Sequence, residues 1–116
     1  SDQLGTPTWT TDIAATIATL IAKEAAGTFN FTSAGETSWH GFASAILDEG
    51  AQAGFAIKTE KVVPIPTSDY PTPATRPAYS VLNTEKIRPL LPGPIPDWRD
   101  SLKKMLHELY SCADCL

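Results

Sequence analysis

The first hydrophobic pattern along the chain predicts an α-helix that begins near residue 10 and stops at Gly27. Thr10 or Thr11 can cap it, and Asp12 in its first turn interacts favourably with the positive end of the helix dipole. Glycine adopts the left-handed conformation that often follows a helix, so Gly27 is a suitable end. Four aliphatic residues recur at spacings of four, three and one and form one apolar stripe: Ile13, Ile17, Leu20 and Ile21.

A second helix is predicted to run from a cap at Thr37 or Ser38 to Gly54. Its apolar residues lie broadly on one side: Trp39, Phe42, Ala43, Ile46 and Ala53, with Leu47 beside them. Asn83 or Thr84 can cap a short helix through Leu91. Asp97 caps the last helix, whose buried face is predicted to hold Trp98, Leu102, Met105, Leu106 and Leu109.

Short extended segments separate these helices. Residues 28–32 alternate phenylalanine with polar residues, as a half-buried strand does. Residues 57–65 form a second predicted strand, which Pro64 and Pro66 end. Residues 80–82 are short and extended. We therefore expect an α+β fold with about four helices and two or three short strands, organised as one domain over residues 1–110 with a tail at 111–116.

Composition and charge exclude several function classes. The chain has 116 residues, of which 42% are hydrophobic and 19% charged, as in an ordinary globular protein. A net charge of −4, with no basic cluster larger than Lys103-Lys104, argues against nucleic-acid or membrane-surface binding. The longest apolar stretch, residues 13–22, is too short to span a membrane. We expect a cytoplasmic protein, and the absence of an initial methionine suggests a trimmed or excised chain.

The two cysteines, Cys112 and Cys115, lie at the end of the chain. A redox Cys-x-x-Cys opens a helix after a strand, and a zinc site needs a second pair of ligands. Neither context is present, so we expect no metal site and a tail that is reactive but has no function.

The residues from Pro64 to Pro77 form a proline segment that holds five of the ten prolines. Each proline fixes its own φ and favours an extended residue before it, so the segment is stiff. Arg76 lies between Thr75 and Pro77, and its guanidinium has the geometry to bind two phosphate oxygens at once. The alternative is a connector with a solvated arginine.

Catalytic patterns are largely missing. A short-chain dehydrogenase uses a tyrosine with a lysine four residues later, which lowers the pKa of the phenol. Here the residues at that spacing after Tyr70, Tyr79 and Tyr110 are Ala74, Asn83 and Asp114. The glycine pair Gly35 and Gly41 lacks the middle glycine of a dinucleotide-binding turn.

Trp39 and His40 open the second helix after a strand, and two interpretations remain open. They can edge a binding cleft, or Trp39 can pack on the core with His40 in solvent.

Several motifs occur together in one order. They are Asp2 to Thr8, Gly35 to Ala43, Tyr70 to Pro77, Leu82 to Lys86, Pro96 to Trp98 and Lys104 to Leu109. In this combination the chain resembles the C-terminal part of dTDP-4-dehydrorhamnose reductase, an extended short-chain dehydrogenase. The resemblance covers nearly the whole chain apart from residues 111–116.

The resemblance implies a substrate-binding domain that lacks the Rossmann domain of the family, and with it the site for NADPH or NADH and the catalytic Thr/Tyr/Lys set. Matched residue by residue, Gln3 and Thr8 correspond to residues of the loop beside the sugar. Arg76 corresponds to an arginine suited to the nucleotide diphosphate. Trp39, His40 and Tyr70 match family positions without an assigned contact. The chain departs from the family at Trp9-Thr-Thr-Asp12, where a small and then an acidic residue are frequent.

Three functional hypotheses follow from the resemblance. The first is a module that binds a dTDP-sugar and has neither cofactor nor catalytic residues of its own. The second is a remnant that associates with itself, as a homo-oligomer, or with another chain. The third is one half of a split reductase that a separate Rossmann domain restores. The regulatory β-subunit of methionine adenosyltransferase shares the fold without using it for rhamnose, so the resemblance leaves the ligand open.

Overall fold

Three α-helices and one small sheet make up the part of the chain, residues 1–113, that the computed structural model describes. The helices are α1 (Thr10–Ala22), α2 (Trp39–Ala53) and α3 (Trp98–Ala113). The strands are β1 (Leu4–Gly5) and β2 (Thr37–Ser38), and two single 3-10 turns cover Thr67–Asp69 and Arg88–Leu90. The α+β class is confirmed, but the expectation of about four helices was wrong, because residues 83–91 form only turns and one 3-10 turn.

The core lies between α2 and α3. Ala45 and Ala53 of α2 and Leu102 and Leu106 of α3 are buried together. Two aromatic pairs close its ends in edge-to-face contact: Phe42 with Trp98, and Phe55 with Tyr110. The predicted stripe of α3 is therefore the face that forms the core, apart from Leu109, which remains exposed.

The ends of α2 and α3 follow the capping signals in the sequence. Ser38 accepts a hydrogen bond from the Gly41 backbone N–H at 3.0 Å, and Gly54 ends α2 in the left-handed conformation, with φ 108°. The Asp97 carboxylate accepts from the Arg99 backbone N–H at 2.9 Å at the start of α3. α3 continues through Ala113, so the helix extends past the predicted domain boundary at 110.

Helix α1 forms where the periodicity predicts it, but its isoleucine stripe faces outward. Ile13, Ile17 and Ile21 are 37%, 52% and 72% exposed. The buried residue on α1 is Thr16, and the helix is tied to α3 by Asp12, which accepts from Ser101 Oγ at 2.5 Å. α1 also ends at Ala22, earlier than Gly27, and no side chain caps it at Trp9. Periodicity identifies an apolar face, but it does not say which surface covers that face.

Two predicted strands are absent from residues 1–113. Residues 28–32 and 57–65 have no strand pairing, although both segments are extended in pattern. The sheet instead pairs β1 with β2 in antiparallel register, Leu4 opposite Ser38 and Gly5 opposite Thr37. A short alternating run does not determine which segment it pairs with, and the strand pairing in residues 1–113 is between β1 and β2 instead. None of the helices within the described residues has the length and hydropathy required to cross a bilayer.

Candidate functional site

The proline segment stands on the surface beside the N-terminal residues of the chain. Every residue from 63 to 80 is exposed. Burial therefore contributes little to its position, and hydrogen bonds at its two ends hold it against β1 and the residues before β1. These two attachments shape the candidate site.

The first attachment is made at Thr67. Its backbone N–H donates to both carboxylate oxygens of Asp2 at 3.1 Å, and its hydroxyl donates to Asp2 Oδ1 at 2.6 Å. Gln3 adds a bond from Nε2 to Thr67 Oγ1 at 3.0 Å. The hydrogen bonds from the Thr67 side chain and backbone lower the pKa of Asp2, because they stabilise its charged form.

The second attachment follows the proline segment and involves β1. The Leu4 N–H donates to Ala78 O at 2.8 Å, and the Ser80 N–H donates to Leu4 O at 2.9 Å. Gly5 permits this close approach, since a Cβ at that position would lie 2.9 Å from Ser80 Oγ. Tyr79 donates its phenol hydrogen to Glu36 Oε2 at 3.0 Å, and this bond raises the pKa of Tyr79, because the neutral phenol is the donor.

Between these attachments lies an open cleft made of two adjoining hollows. One has a volume of about 400 Å³ and is bounded mainly by β1, the start of α2 and the end of the proline segment. The other has a volume of about 390 Å³ and extends towards Thr67 and Tyr70. Three residues line both hollows: Gln3, Trp39 and Arg76. The lining is apolar apart from a few groups, as in most small-molecule sites.

Arg76 lies where the two hollows meet. It is exposed, and it makes no hydrogen bond or ion pair with any residue between 1 and 113. Its five donors are therefore free to bind a ligand in the cleft. A free guanidinium between two hollows suits an anion that joins two larger groups.

Four of the six predicted site residues come together in this cleft. Gln3, Trp39 and Arg76 line both hollows, and Tyr70 lines the second. The Trp39 ring is 66% exposed, so it offers an aromatic surface instead of packing in the core. For Trp39, the structure therefore matches the cleft-edge interpretation.

The other two predicted residues lie outside the cleft. Thr8 accepts from the Ser33 N–H at 3.2 Å and donates to Thr6 O at 3.2 Å, which orders the loop before α1. His40 is half-buried on another side of α2, with Nε2 3.2 Å from Val62 O. It lines a separate open groove, so neither interpretation of the Trp39-His40 pair holds for both residues.

Sequence reasoning missed the residues that hold the proline segment in place. Asp2, Thr67, Glu36 and Tyr79 showed no helical or strand periodicity, and their partners are 43 to 65 positions apart in the sequence. One signal was available in the sequence. The backbone N–H of a threonine at the start of a turn, directly after Pro66, needs a hydrogen-bond acceptor.

The segment from Gly35 to Gly41, which runs through β2 into the first turn of α2, does not fit a nicotinamide dinucleotide. Gly35 has φ 79°, and a Cβ there would lie 2.6 Å from the Asp97 carboxylate and 3.0 Å from the Trp98 ring. A carboxylate at this distance repels a pyrophosphate, and the segment is packed on α3 instead of open. Nor do residues 1–113 contain a group of three His, Cys, Asp or Glu side chains placed to hold a metal ion. Cys112 is a free, exposed thiol, and Cys115 lies outside the described residues.

The structure is a small α+β domain with an open cleft and an unpaired arginine, Arg76, where its two hollows meet. Comparison with known proteins identifies the family of this domain. The chain belongs to the RmlD substrate binding domain family, whose model matches residues 1–111.

Relatives and solved structures agree with this assignment. The chain is 43% identical to dTDP-4-dehydrorhamnose reductase of Burkholderia thailandensis, covering 96% of the chain and 41% of the relative. It is 37% identical to the Escherichia coli protein of that name, covering 96% and 38%. A crystal structure of the Clostridium acetobutylicum reductase superposes with a TM-score of 0.78 at 38% identity, covering 93% and 36%. The Bacillus anthracis reductase in complex with NADP superposes with a TM-score of 0.80 at 29% identity, also covering 93% and 36%.

The chain therefore spans about two fifths of the length of these relatives. The resemblance to the C-terminal, substrate-binding part of the reductases is confirmed.

Proposed function

We propose that this chain binds a dTDP-sugar in the cleft, as the substrate-binding part of a dTDP-4-dehydrorhamnose reductase-like protein in dTDP-L-rhamnose biosynthesis. The observation that carries the proposal is the free guanidinium of Arg76 between two hollows. A nucleotide sugar has a diphosphate between two bulky groups, and the cleft offers a cation between two spaces. Membership of the substrate-binding family supports the same ligand class.

Each cleft residue has a defined role in this proposal. Arg76 binds the diphosphate through two N–H donors, because its fork matches two phosphate oxygens. Trp39 presents an exposed ring on which a base or a sugar face can pack. Gln3 and Tyr70 supply neutral hydrogen-bonding groups beside the arginine.

The proposal assigns no redox step to residues 1–113. Hydride transfer needs a bound dinucleotide, and the segment between Gly35 and Gly41 does not fit one. The resemblance to the reductases implies NADPH or NADH as the hydride donor of the full-length enzymes. Within the proposal, the chain therefore binds and orients the sugar nucleotide, and the cofactor belongs to a Rossmann domain outside these residues.

Isothermal titration with dTDP and with dTDP-rhamnose tests the proposal. Arg76→Ala is expected to weaken binding by about 10- to 100-fold, because it removes charge-assisted hydrogen bonds to the phosphates. Arg76→Lys keeps the positive charge but loses the forked arrangement of donors. Its affinity is expected to lie between those of wild type and Arg76→Ala. Arg88→Ala is the matched control, since Arg88 is an exposed arginine that lines neither hollow. Equal affinity in wild type and Arg76→Ala, or no binding to wild type, contradicts the proposal.

Association is a second candidate function, and the outer face of α1 supports it. Three exposed isoleucines at spacings of four lie on a helix whose single charged residue, Asp12, is engaged with Ser101. An uncharged apolar face of this kind favours association over exposure to water. We infer that it contacts the Rossmann domain when that domain is present, and a second copy of the chain when it is not.

Sedimentation velocity tests this association on the chain alone. The wild type is expected to form a homo-oligomer, and Ile17→Lys, in the middle of the stripe, is expected to shift it to monomer. Val63→Lys is the control, because Val63 is 65% exposed and lies outside α1. A monomeric wild type at high concentration, or dissociation in both variants, argues against α1 as the interface.

A further inference from the structure

The position of Arg76 depends on hydrogen bonds that other residues make, on either side of it in the sequence. Apart from the turn bonds of the Asp69 and Tyr70 N–H groups to Pro66 O and Thr67 O, no residue from 68 to 77 has a hydrogen bond to a described residue outside that range, and none of them is buried. The segment is therefore held at its ends, at Thr67 and at Ala78 to Ser80. Within it, Pro71, Pro73 and Pro77 each fix φ, so the intervening backbone has little freedom. A displacement at either end is transmitted to the guanidinium.

The end at Thr67 rests mainly on one side chain. Asp2 accepts from the Thr67 N–H at 3.1 Å and from the Thr67 hydroxyl at 2.6 Å, while Gln3 adds one bond to the same hydroxyl. The Ser1 amino group donates to Ile65 O at 2.6 Å and lies 3.7 Å from Asp2 Oδ1. Without the Asp2 carboxylate, the bond from Gln3 is the one that still joins Thr67 to the N-terminal residues within the described chain.

We propose that Asp2 is a positioning residue for ligand binding, because its carboxylate fixes Thr67 and thereby places Arg76 over the cleft. This inference rests on the proposed function for its binding readout. Asp2 does not bind the diphosphate in this account, since both groups are anionic.

Charge and position predict opposite effects for the removal of Asp2, which makes the proposal testable. Asp2 lines the hollow that Arg76 also lines. Removal of a negative charge beside an anion site strengthens anion binding if charge is its only role. If Asp2 positions Arg76, its removal weakens binding instead. The sign of the change separates the two roles.

The experiment measures dTDP affinity by isothermal titration for wild type, Asp2→Ala, Asp2→Asn, Arg76→Ala and the Asp2→Ala/Arg76→Ala double variant. Asp2→Ala is expected to weaken binding on the order of 3- to 10-fold. Asp2→Asn keeps one acceptor oxygen and is expected to retain part of the affinity. In the Arg76→Ala background, Asp2→Ala is expected to cause no further loss, because it acts through the arginine. Asp69→Asn is the control, since it removes a charge from the same segment without touching the bonds between Asp2 and Thr67.

A second measurement needs no ligand. The ¹⁵N–¹H heteronuclear NOE of Thr72, Ala74, Thr75 and Arg76 is expected to fall in Asp2→Ala, with unchanged values in α2 and α3. Unchanged order in the segment overturns the proposal, as does unchanged or stronger dTDP binding in Asp2→Ala when Arg76→Ala weakens it. If Arg76→Ala leaves dTDP binding intact, the proposed function is wrong, and the NOE measurement alone decides whether Asp2 orders the segment.

Discussion

Asp2 is the side chain whose ionisation the structure ties most directly to the cleft. Hydrogen bonds from the Thr67 side chain and backbone hold the pKa of Asp2 below its ordinary value. A carboxyl whose pKa is lower in the folded state stabilises that state above its unfolded pKa. The contribution is lost as the pH falls through the folded pKa, which the bonds from Thr67 hold below the ordinary value of an aspartate. The attachment at Thr67 is therefore intact at neutral pH and fails only in acid.

The Thr67 amide reports this ionisation. Its ¹⁵N–¹H chemical shift is expected to titrate with a midpoint below that of an ordinary aspartate when the pH is lowered from 6 to 2. Asp2→Asn serves as the control and is expected to abolish the titration. A midpoint at or above the ordinary value, or a titration that persists in Asp2→Asn, shows that Thr67 does not sense this carboxylate.

A second prediction at this scale concerns Gly5 and Ser80, which approach closely beside the cleft. Gly5→Ala is expected to destabilise the chain by about 1–3 kcal/mol, because the new Cβ would lie 2.9 Å from Ser80 Oγ. Chemical denaturation measures the change. Ser80→Ala removes the obstructing oxygen, so the double variant should be more stable than the sum of the two single losses predicts. Strict additivity would mean that the two residues do not meet.

Among the elements, α2 and α3 are joined by their core and by Arg99, which pairs with Asp48 at 3.7 Å and more closely with Glu49. Arg99 Nε donates to Glu49 Oε1 at 3.0 Å, and Glu49 is 8% exposed. Arg99→Ala leaves this carboxylate without its partner and is expected to lower the free energy of unfolding by about 1–3 kcal/mol. Urea denaturation checks it, with Arg76→Ala as the control, because Arg76 is exposed and makes no hydrogen bond or ion pair within residues 1–113. Glu49→Gln in the Arg99→Ala background should recover part of the loss, and a loss below about 0.5 kcal/mol in Arg99→Ala contradicts the role of the pair.

The helices and strands also show which structural features could be predicted from the sequence. The bounds of α2 and the start of α3 follow from Ser38, Gly54 and Asp97, because capping is local chemistry. The α3 stripe forms the core as expected. On α1 the same periodicity correctly predicted an apolar face, but no surface within residues 1–113 covers that face. The run at 57–65 has strand character without a strand partner, since pairing is not encoded in a single segment.

The candidate site was predicted in part for similar reasons. Arg76 could be found because a proline-rich stretch restricts its own backbone, which is again local. Trp39 and Tyr70 came from motif matches and lie in the cleft. Thr8 and His40 matched the same family motifs but face other parts of the molecule. The attachments at Asp2 and Glu36 join distant residues, and nothing in the local sequence specifies them.

At the scale of the whole molecule, the exposed isoleucine face of α1 is the surface that we propose to contact the Rossmann domain of a dTDP-4-dehydrorhamnose reductase. A separately produced Rossmann domain of such a reductase is expected to bind the chain and to restore oxidation of NADPH with dTDP-4-dehydro-L-rhamnose. Absorbance at 340 nm follows the reaction. Ile17→Lys should reduce the restored rate and Val63→Lys should not. A mixture with no rate above that of the Rossmann domain alone contradicts the split-enzyme interpretation.

The most direct measurement of the central claim is a titration of the ¹⁵N-labelled chain with dTDP, followed by NMR. The account predicts that chemical shifts change at the residues around the cleft, namely Gln3, Leu4, Gly5, Trp39 and Arg76, including the Trp39 indole N–H. Signals of Lys103 and Lys104, which lie on α3 and line neither hollow of the cleft, should stay in place. Changes confined to that lysine pair, or no changes at millimolar dTDP, would show that the cleft around Arg76 is not a nucleotide-sugar site.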